Sequence, residues 1–355
     1  MLMYVRENLV MRSLMVSDAP AVYNVVDRNR EYLRTWLPWV DGTDSPDVTE
    51  NVIASWEKAL DDKSDVVLGI FNNGEYVGNI GLHDIKNHKR SSMIGYWLSE
   101  NRQGSGIITD CVRALMDFAF SALGLNRIYI NCAADNIKSR AIPERLGFVQ
   151  EGILQDCEYL YGIFHDLIVY GIVERNWQRG DVLYLTYPTT EHEEAALDYR
   201  REWLDMNPGK RIHGSWGLHN QHYDDYGLWL SDISNLRTTP APGINFTAST
   251  YFAFINDKII GTVQVRHTLN ESLMQTGGHI GYGVRPTERR KGYGSKMLML
   301  ALEQTRALGI EKALLTCDKG NEGSAKTILS GGGILENEYT DEEGNITQRY
   351  WITTT

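Results

Sequence analysis

The sequence predicts an α/β chain, with helices packed on mixed β-sheet, built as two tandem copies of one domain. Three observations lead there. The 355 residues exceed what a single core of ordinary size uses, so two domains are expected. Three landmarks occur twice in the same order: "IGYWL" (94–98) and "IGYGV" (280–284), "GSG" (104–106) and "GYG" (292–294), "CAADNIKS" (132–139) and "CDKGNEGS" (317–324). Their offsets of 186, 188 and 185 residues keep order and spacing together, which chance similarity does not. Finally, strand-like and helix-like patterns alternate in the same order in both halves.

Each element follows from its local pattern. "DVVLGIF-NNG-EYVGNIGLH" (65–83) reads as two strands around Asn72-Asn73-Gly74, and "YFAFI-ND-KIIGTVQVRH" (251–267) as two around Asn256-Asp257. Each hairpin leads into the IGY strand and then a helix opened by the glycine pair. Ile107, Ile108, Cys111, Val112, Leu115 and Ala119 share one helical face in the first copy. Met297, Leu298, Ala301, Leu302 and Thr305 do so in the second. Short strands at 127–133 and 312–317 come next, then a second helix, then closing strand-like segments turning at Gly162 and Gly344. "NWQRGD" (176–181) is polar and turn-like, "VLYLTY" (182–187) starts a new strand, and Thr190 with Glu193 reads as a capping box. The expected domains are therefore 1–180 and 181–355. The long stretch 207–245 reads as loop with a short helix around Tyr223–Leu236, and loops of that length usually serve function or move.

Composition narrows the class. With 42% hydrophobic and 23% charged residues the chain reads as soluble and globular. A formal charge of −11 argues against a nucleic-acid-binding face and is compatible with a basic acceptor. Arg289-Arg290-Lys291 is a local exception, suited to one small anion. Cys111, Cys132, Cys157 and Cys317 form no CxxC pair, as expected of a reducing cytoplasm. The start, "MLMYVRENLV", is broken by Arg6 and Glu7, and no run approaches the ~18 apolar residues a span needs, so neither signal peptide nor membrane anchor is expected.

A glycine-rich turn opening a helix offers unpaired N–H groups and the positive end of the helix dipole to an anion. Neither copy has the Walker A lysine pattern, and Thr109 and Met297 stand where a dinucleotide motif needs its third glycine. His213, His219 and His222 lack a cysteine or acidic ligand at recognised spacing, and no metal is expected. Tyr96 and Tyr282 read as in-strand packing residues, and Cys132 and Cys317 as core.

"RRKGYG" (289–294) matches the [QR]-x-x-G-x-[GA] acyl-CoA signature of the GCN5-related N-acetyltransferase (GNAT) superfamily, and the chain resembles two such domains in tandem. Through "YLRTWLPWVD", "NRQGSGI", "DNIKSRAIPERLGF" and "CEYLYGIFHDLIVYGI", the first half resembles the branch that acetylates N-termini of ribosomal proteins. The second half resembles a less characterised acetyltransferase group. The resemblance implies acetyl-CoA as co-substrate. Its pyrophosphate would lie on Arg102, Gln103, Gly104, Ser105 and Gly106 in the first copy. In the second it would lie on Arg289, Arg290, Lys291, Gly292, Tyr293, Gly294 and Ser295. Asn101 is taken as the counterpart of Arg289. Asn136, Asn321 and Ser324 would contact the pantetheine arm, which pairs with backbone like an added strand. The tyrosine acid of many members falls at Pro143 and Ile328, so neither copy has it. In the resembled branch a serine and a glutamate take the acid and base roles, which map to Ser139 and Glu158. Trp36 and Trp39 would line the acceptor cleft. The expected activity is acetyl transfer to a primary amine, most readily a protein N-terminus. The alternative is a small amine (antibiotic, polyamine or amino acid), with the second domain a non-catalytic acyl-CoA-binding or structural module. Two fused copies would act as a pseudo-dimeric monomer or as a homodimer.

Overall fold

In a computed structural model, residues 1–354 are described, and the chain divides into two compact units, Leu2–Val182 and a second from Leu183 onward. In the first unit, β1 (Leu2–Arg6) and β2 (Leu9–Arg12) form a hairpin. Helices α1 (Ala19–Arg28), α2 (Arg30–Arg34) and α3 (Pro46–Asp61) follow. Ser45 caps α3 by accepting from the Val48 amide, with Pro46 at the first helical position, where a missing N–H costs nothing. The predicted hairpin is β3 (Val66–Asn72) and β4 (Glu75–Lys86). Its turn holds Asn73 at φ 52° and Gly74 at φ 76°, the left-handed pair a two-residue hairpin turn requires. Then come β5 (Ser91–Leu98), α4 (Ile107–Ser121), β6 (Arg127–Ala133), α5 (Ile137–Arg145), β7 (Val149–Leu160) and β8 (Ile163–Val173).

These strands lie in the order β1-β2-β3-β4-β5-β6-β8-β7. The single parallel pair within this order, β5 with β6, is brief. Ser91–Met93 faces Arg127–Tyr129, yet the strands run on to Leu98 and Ala133 without pairing. That divergence opens a gap in the middle of the sheet. The predicted face of α4 is buried at all six positions. Asp117, on the same helix, is also buried and accepts hydrogen bonds from Trp177 Nε1 (2.6 Å) and the Gly180 amide (3.0 Å). Those bonds tie the turn-like "NWQRGD" segment back onto α4.

The second unit repeats the plan with a different entry. It contains β9 (Leu183–Thr186), α6 (Glu193–Met206), α7 (Tyr226–Leu236), β10 (Ala248–Ile255), β11 (Lys258–Arg266) and β12 (Ile280–Val284). After these come α8 (Tyr293–Ala307), β13 (Lys312–Asp318), α9 (Glu322–Ser330), β14 (Ile334–Thr340) and β15 (Ile346–Thr353). The expected Thr190–Glu193 capping box is displaced by one residue. Thr189 caps instead, its amide donating to His192 Nδ1 (3.1 Å), because a 3-10 turn, Thr190–His192, precedes the helix. Within the 207–245 stretch, α7 is capped by Asp225, which accepts from the Gly227 and Leu228 amides.

Strands β9 to β12 lie in the order β12-β11-β10-β9, and β13, β15 and β14 make a separate three-stranded sheet. The β12/β13 divergence is thus complete, and His279 bridges it at one end. Its backbone N–H donates to Leu314 O (2.7 Å), and its Nδ1 accepts the Leu314 amide (2.9 Å). Burial, and secondly Arg266, push the His279 pKa down to about 4 from 6.5, so the ring stays neutral and able to accept.

A histidine with a depressed folded pKa contributes stability that is complete above its unfolded pKa and is lost as pH falls toward the folded one. Denaturation of the full chain at pH 7.5 and pH 5 should therefore show a loss of about 2 kcal/mol that is missing in His279→Gln. An identical pH response in the variant would show that the bridge carries no proton linkage.

Candidate active site

The gap between β5 and β6 meets the start of α4. Gly106 caps α4 at φ 78° and Gly104 precedes it at φ 74°, both in the left-handed region. The Ile107, Ile108 and Thr109 amides come too early in the helix to have intrahelical acceptors, leaving donors and the dipole for an anion. Around this cap is an open cleft of about 840 Å³ lined by Tyr32, Trp36, Tyr96, Trp97, Gln103 and Ser139, among others. Gln103 is held by Tyr32 and accepts from Lys138 Nζ (2.8 Å), while Arg102 pairs with Glu75 and Ser105 Oγ donates to Arg102 O.

In the second copy Gly292 caps α8 at φ 79°, preceded by Arg290 at φ 64°. Conformation thus equates Gly106 with Gly292 and Gly104 with Arg290, an offset of 186 rather than 188. The counterpart of Arg289 is Gln103, not Asn101, and Gly294 corresponds to Ile108. A Cβ at Gly294 would meet nothing nearer than Thr327 Oγ1 at 3.7 Å, which is why a side chain is tolerated there. Arg289 lies over the Trp203 ring (5.0 Å) and donates to Asn207 Oδ1 (3.2 Å). Lys291 pairs with Glu288 (2.7 Å), and Tyr293 is flanked by Lys296.

Across the gap, Asn136 caps α5 and Asn321 caps α9 in the same way. Each Oδ1 accepts the amide of the serine three residues on, Ser139 or Ser324, at 3.1 Å. The NH₂ group of each asparagine makes no hydrogen bond among the described residues and can donate to a ligand acceptor such as an amide carbonyl. Ser139 Oγ lies 3.3 Å from both Tyr96 Oη and Cys132 Sγ, and Tyr96 Oη donates to Ser139 O (3.0 Å). Tyr282 Oη and Ser324 Oγ repeat the pairing at 3.2 Å. Burial raises the Tyr96, Tyr282 and Cys132 pKa values, which keeps the phenols protonated and the thiol inert as a nucleophile. Tyr96 and Tyr282 therefore do more than pack. The signal for them was the tyrosine shared by both IGY strands, but strand alternation alone does not show which hydroxyl it reaches.

The acceptor-side expectations divide. Trp36 lines the cleft and contacts His165 of β8 edge-on (5.9 Å). Trp39 does not line it; it is 43% exposed and packs on Trp97 (6.0 Å) at the rim, because the 3-10 turn Pro38–Gly42 carries it outward. That turn is fastened to the β7–β8 hairpin, since Asp41 accepts from Tyr161 Oη (2.9 Å) and pairs with Arg34 (2.6 Å). Glu158 faces His165 across the hairpin, and its carboxylate has no hydrogen bond or ion pair among the described residues. His219 Nδ1 accepts from the Ile212 amide (3.3 Å), and His222 packs on Tyr223, so these rings have separate local roles.

Comparison with known proteins agrees with this geometry. The model of the acetyltransferase (GNAT) domain matches residues 8–149, and that of the acetyltransferase (GNAT) family matches 219–328. The chain is 36% identical over 175 residues to YdaF of Bacillus subtilis (strain 168), whose name assigns it provisionally to ribosomal N-acetylation. That match covers 49% of this chain and 96% of the relative. It is 28% identical over 166 residues to the ribosomal-protein-serine acetyltransferase of Escherichia coli (strain K12), covering 47% and 93%. A solved ribosomal L7/L12 α-N-protein acetyltransferase in complex with coenzyme A superposes with a TM-score of 0.47 at 28% identity, covering 48% of this chain and 97% of that one. Two glycine helix caps, two sheet gaps and two asparagine–serine motifs thus coincide with two family matches: the chain belongs to the GNAT acetyltransferases and is an acetyl-CoA-dependent N-acetyltransferase.

Proposed function

We propose that the first domain, residues 1–180, acetylates the N-terminal α-amino group of a protein. The observation that carries this reading is the shape of the cleft. It runs from the Gly104/Gly106 cap, past the Tyr96–Ser139 pair, to Tyr32, Leu33 and Trp36, the last in edge-on contact with His165 of β8, and it is open enough to admit a chain end. The names of the two relatives point to the same acceptor class.

Acetyl-CoA is held on the amides at the start of α4, with its arm along the unpaired edge of β5. A backbone N–H of β5 polarises the thioester oxygen as the amine attacks. Glu158, which pairs with His165 across the hairpin, accepts a proton from the ammonium so that nitrogen gains its lone pair. Nitrogen–carbon bonding then breaks the carbon–sulfur bond, and the Ser139–Tyr96 hydroxyls pass a proton to the thiolate and regain one from the second proton that leaves nitrogen. Trp36 positions the first residue of the acceptor, and Trp39 flanks the entrance. The second domain, 181–355, binds acetyl-CoA through Arg289 to Ser295 with Asn321 and Ser324. It has no counterpart of Glu158. Asp341, the nearest acid, accepts from the Glu343 (3.0 Å) and Asn345 (2.8 Å) amides and is committed to its turn. A polyamine acceptor is the second reading for the first domain, favoured by two carboxylates near His165: Asp135, 4.0 Å from its ring, and Glu158, its partner across the hairpin.

Two measurements test these assignments. Glu158→Gln and Ser139→Ala should each lower kcat for a basic peptide with a free N-terminus by roughly 10²-fold, followed by thiol release. Undiminished turnover in both would remove them from the mechanism, and spermidine outcompeting the peptide would select the second reading. Calorimetry should give two acetyl-CoA sites per chain, one of them abolished by Gly292→Val, which strains a residue at φ 79°. A wild-type stoichiometry of one would refute binding by both copies.

A further inference from the structure

Four charged side chains line the cleft of the first copy: Arg102, Asp110, Lys138 and Arg145. Two of them already have a partner of opposite charge. Arg102 pairs with Glu75, and Asp110 pairs with Arg6 (2.8 Å). The other two both come from α5 and have only uncharged partners. Lys138 Nζ donates to Gln103 Oε1 (2.8 Å) and stands 5.9 Å from the centre of the Tyr32 ring. Arg145 Nη1 donates to Thr109 Oγ1 (2.9 Å). Neither has an ion pair among the described residues. These two positive charges flank the start of α4, since Gln103 precedes the glycine cap and Thr109 is the third residue of the helix. Arg102, the cation that the sequence suggested for phosphate, is the one already committed to a carboxylate.

The second copy arranges its charge differently. With Asn136 and Asn321 matched as caps, Lys138 corresponds to Gly323 and Arg145 to Ser330. The one cation of α9, Lys326, pairs with Glu322 (3.3 Å). Instead the loop before α8 carries Arg289, Arg290 and Lys291, where the first copy has Gln103, Gly104 and Ser105. Arg289 and Arg290 have no ion pair among the described residues. Cations without a carboxylate partner thus stand on the helix in one copy and on the loop in the other. A shared anionic ligand accounts for that exchange, because its charge must be met at both caps but not from the same element.

Position along α5 separates two tasks. Lys138 is two residues beyond Asn136, and Arg145 lies nearly two turns further along the same face, about 10 Å by helix rise. Coenzyme A carries its anionic groups in a fixed order, the diphosphate next to the pantetheine arm and the ribose 3′-phosphate beyond it. We propose that Lys138 meets the diphosphate beside the α4 amides and that Arg145 meets the 3′-phosphate. Arg145 is then the residue by which the first copy distinguishes coenzyme A from its 3′-dephospho form. The inference rests on the reading that acetyl-CoA is held at the α4 cap, and it adds which side chains recognise which phosphate.

The test is calorimetry on the full-length Gly292→Val chain, whose one undisturbed cap is that of α4, with coenzyme A and 3′-dephospho-coenzyme A as ligands. Coenzyme A should bind roughly ten- to hundredfold more tightly, the range expected of hydrogen bonds between charged groups. Adding Arg145→Gln should bring the two affinities together by weakening coenzyme A alone, and Arg145→Lys should keep part of the difference. Lys138→Gln should weaken both ligands by roughly tenfold and leave their ratio unchanged. An arginine that only ties α5 to α4 through Thr109 would, on replacement, weaken both ligands together. Equal affinities before Arg145 is changed, a ratio that survives in Arg145→Gln, or a Lys138→Gln change that affects neither ligand would each overturn the proposal. A Gly292→Val chain that binds no coenzyme A would overturn the reading of the α4 cap as well, a result distinct from the others. If Arg145→Gln does not fold, the ratio in Arg145→Lys decides, and an unaltered one counts against the assignment.

Discussion

Everything in the active region depends on two neighbouring strands that begin together and then part. Between β5 and β6 the ladder stops after Met93 and Tyr129, leaving backbone donors and acceptors in the middle of the sheet without a protein partner. Unpaired main chain inside a fold is costly unless a ligand or solvent meets it. Here the opening lies beside the start of α4, whose first amides have no intrahelical acceptor either. The glycines at 104 and 106 and the asparagine cap of α5 then have a common purpose, since each places donors around the same gap. In the second copy the separation has gone to completion, with β13 in another sheet, and a neutral histidine bridges the two sides at one end.

Much of this was legible in the sequence because it is periodic. The hairpins, the buried faces of the two glycine-capped helices and the repeat itself are patterns of spacing, and spacing survives divergence. Less visible was which glycine does what. "GSG" and "GYG" look equivalent, but Gly104 shares its left-handed conformation with Arg290, a residue composition would not match to it. Nor could alternation along β5 show that the Tyr96 hydroxyl meets a serine 43 residues away, since that contact needs the sheet and α5 in place together. Trp39 sits at the rim for a related reason. The 3-10 turn Pro38–Gly42 begins after Trp36, so the backbone changes course between the two tryptophans of "WLPW" in a way their spacing alone does not show.

The copies have kept one side of their machinery and altered the other. The glycine caps, asparagine caps and tyrosine–serine pairs superimpose in kind, with distances that agree within a tenth of an ångström for both motifs. The copies differ in helices α1 to α3, which the second replaces with the α6 and α7 region. Divergence of that kind around a shared core is ordinary, because the fold does not fix which acceptor is used.

Joining two cofactor caps in one polypeptide has a consequence for supply. Separate genes would let the abundance of each site vary independently; here translation delivers them in a fixed one-to-one ratio. With acetyl-CoA bound at both caps as proposed, the division of a limited acetyl donor between them would be decided by their relative affinities. The basic cluster at 289–291, where the other copy begins with a neutral glutamine, is where that competition would be biased.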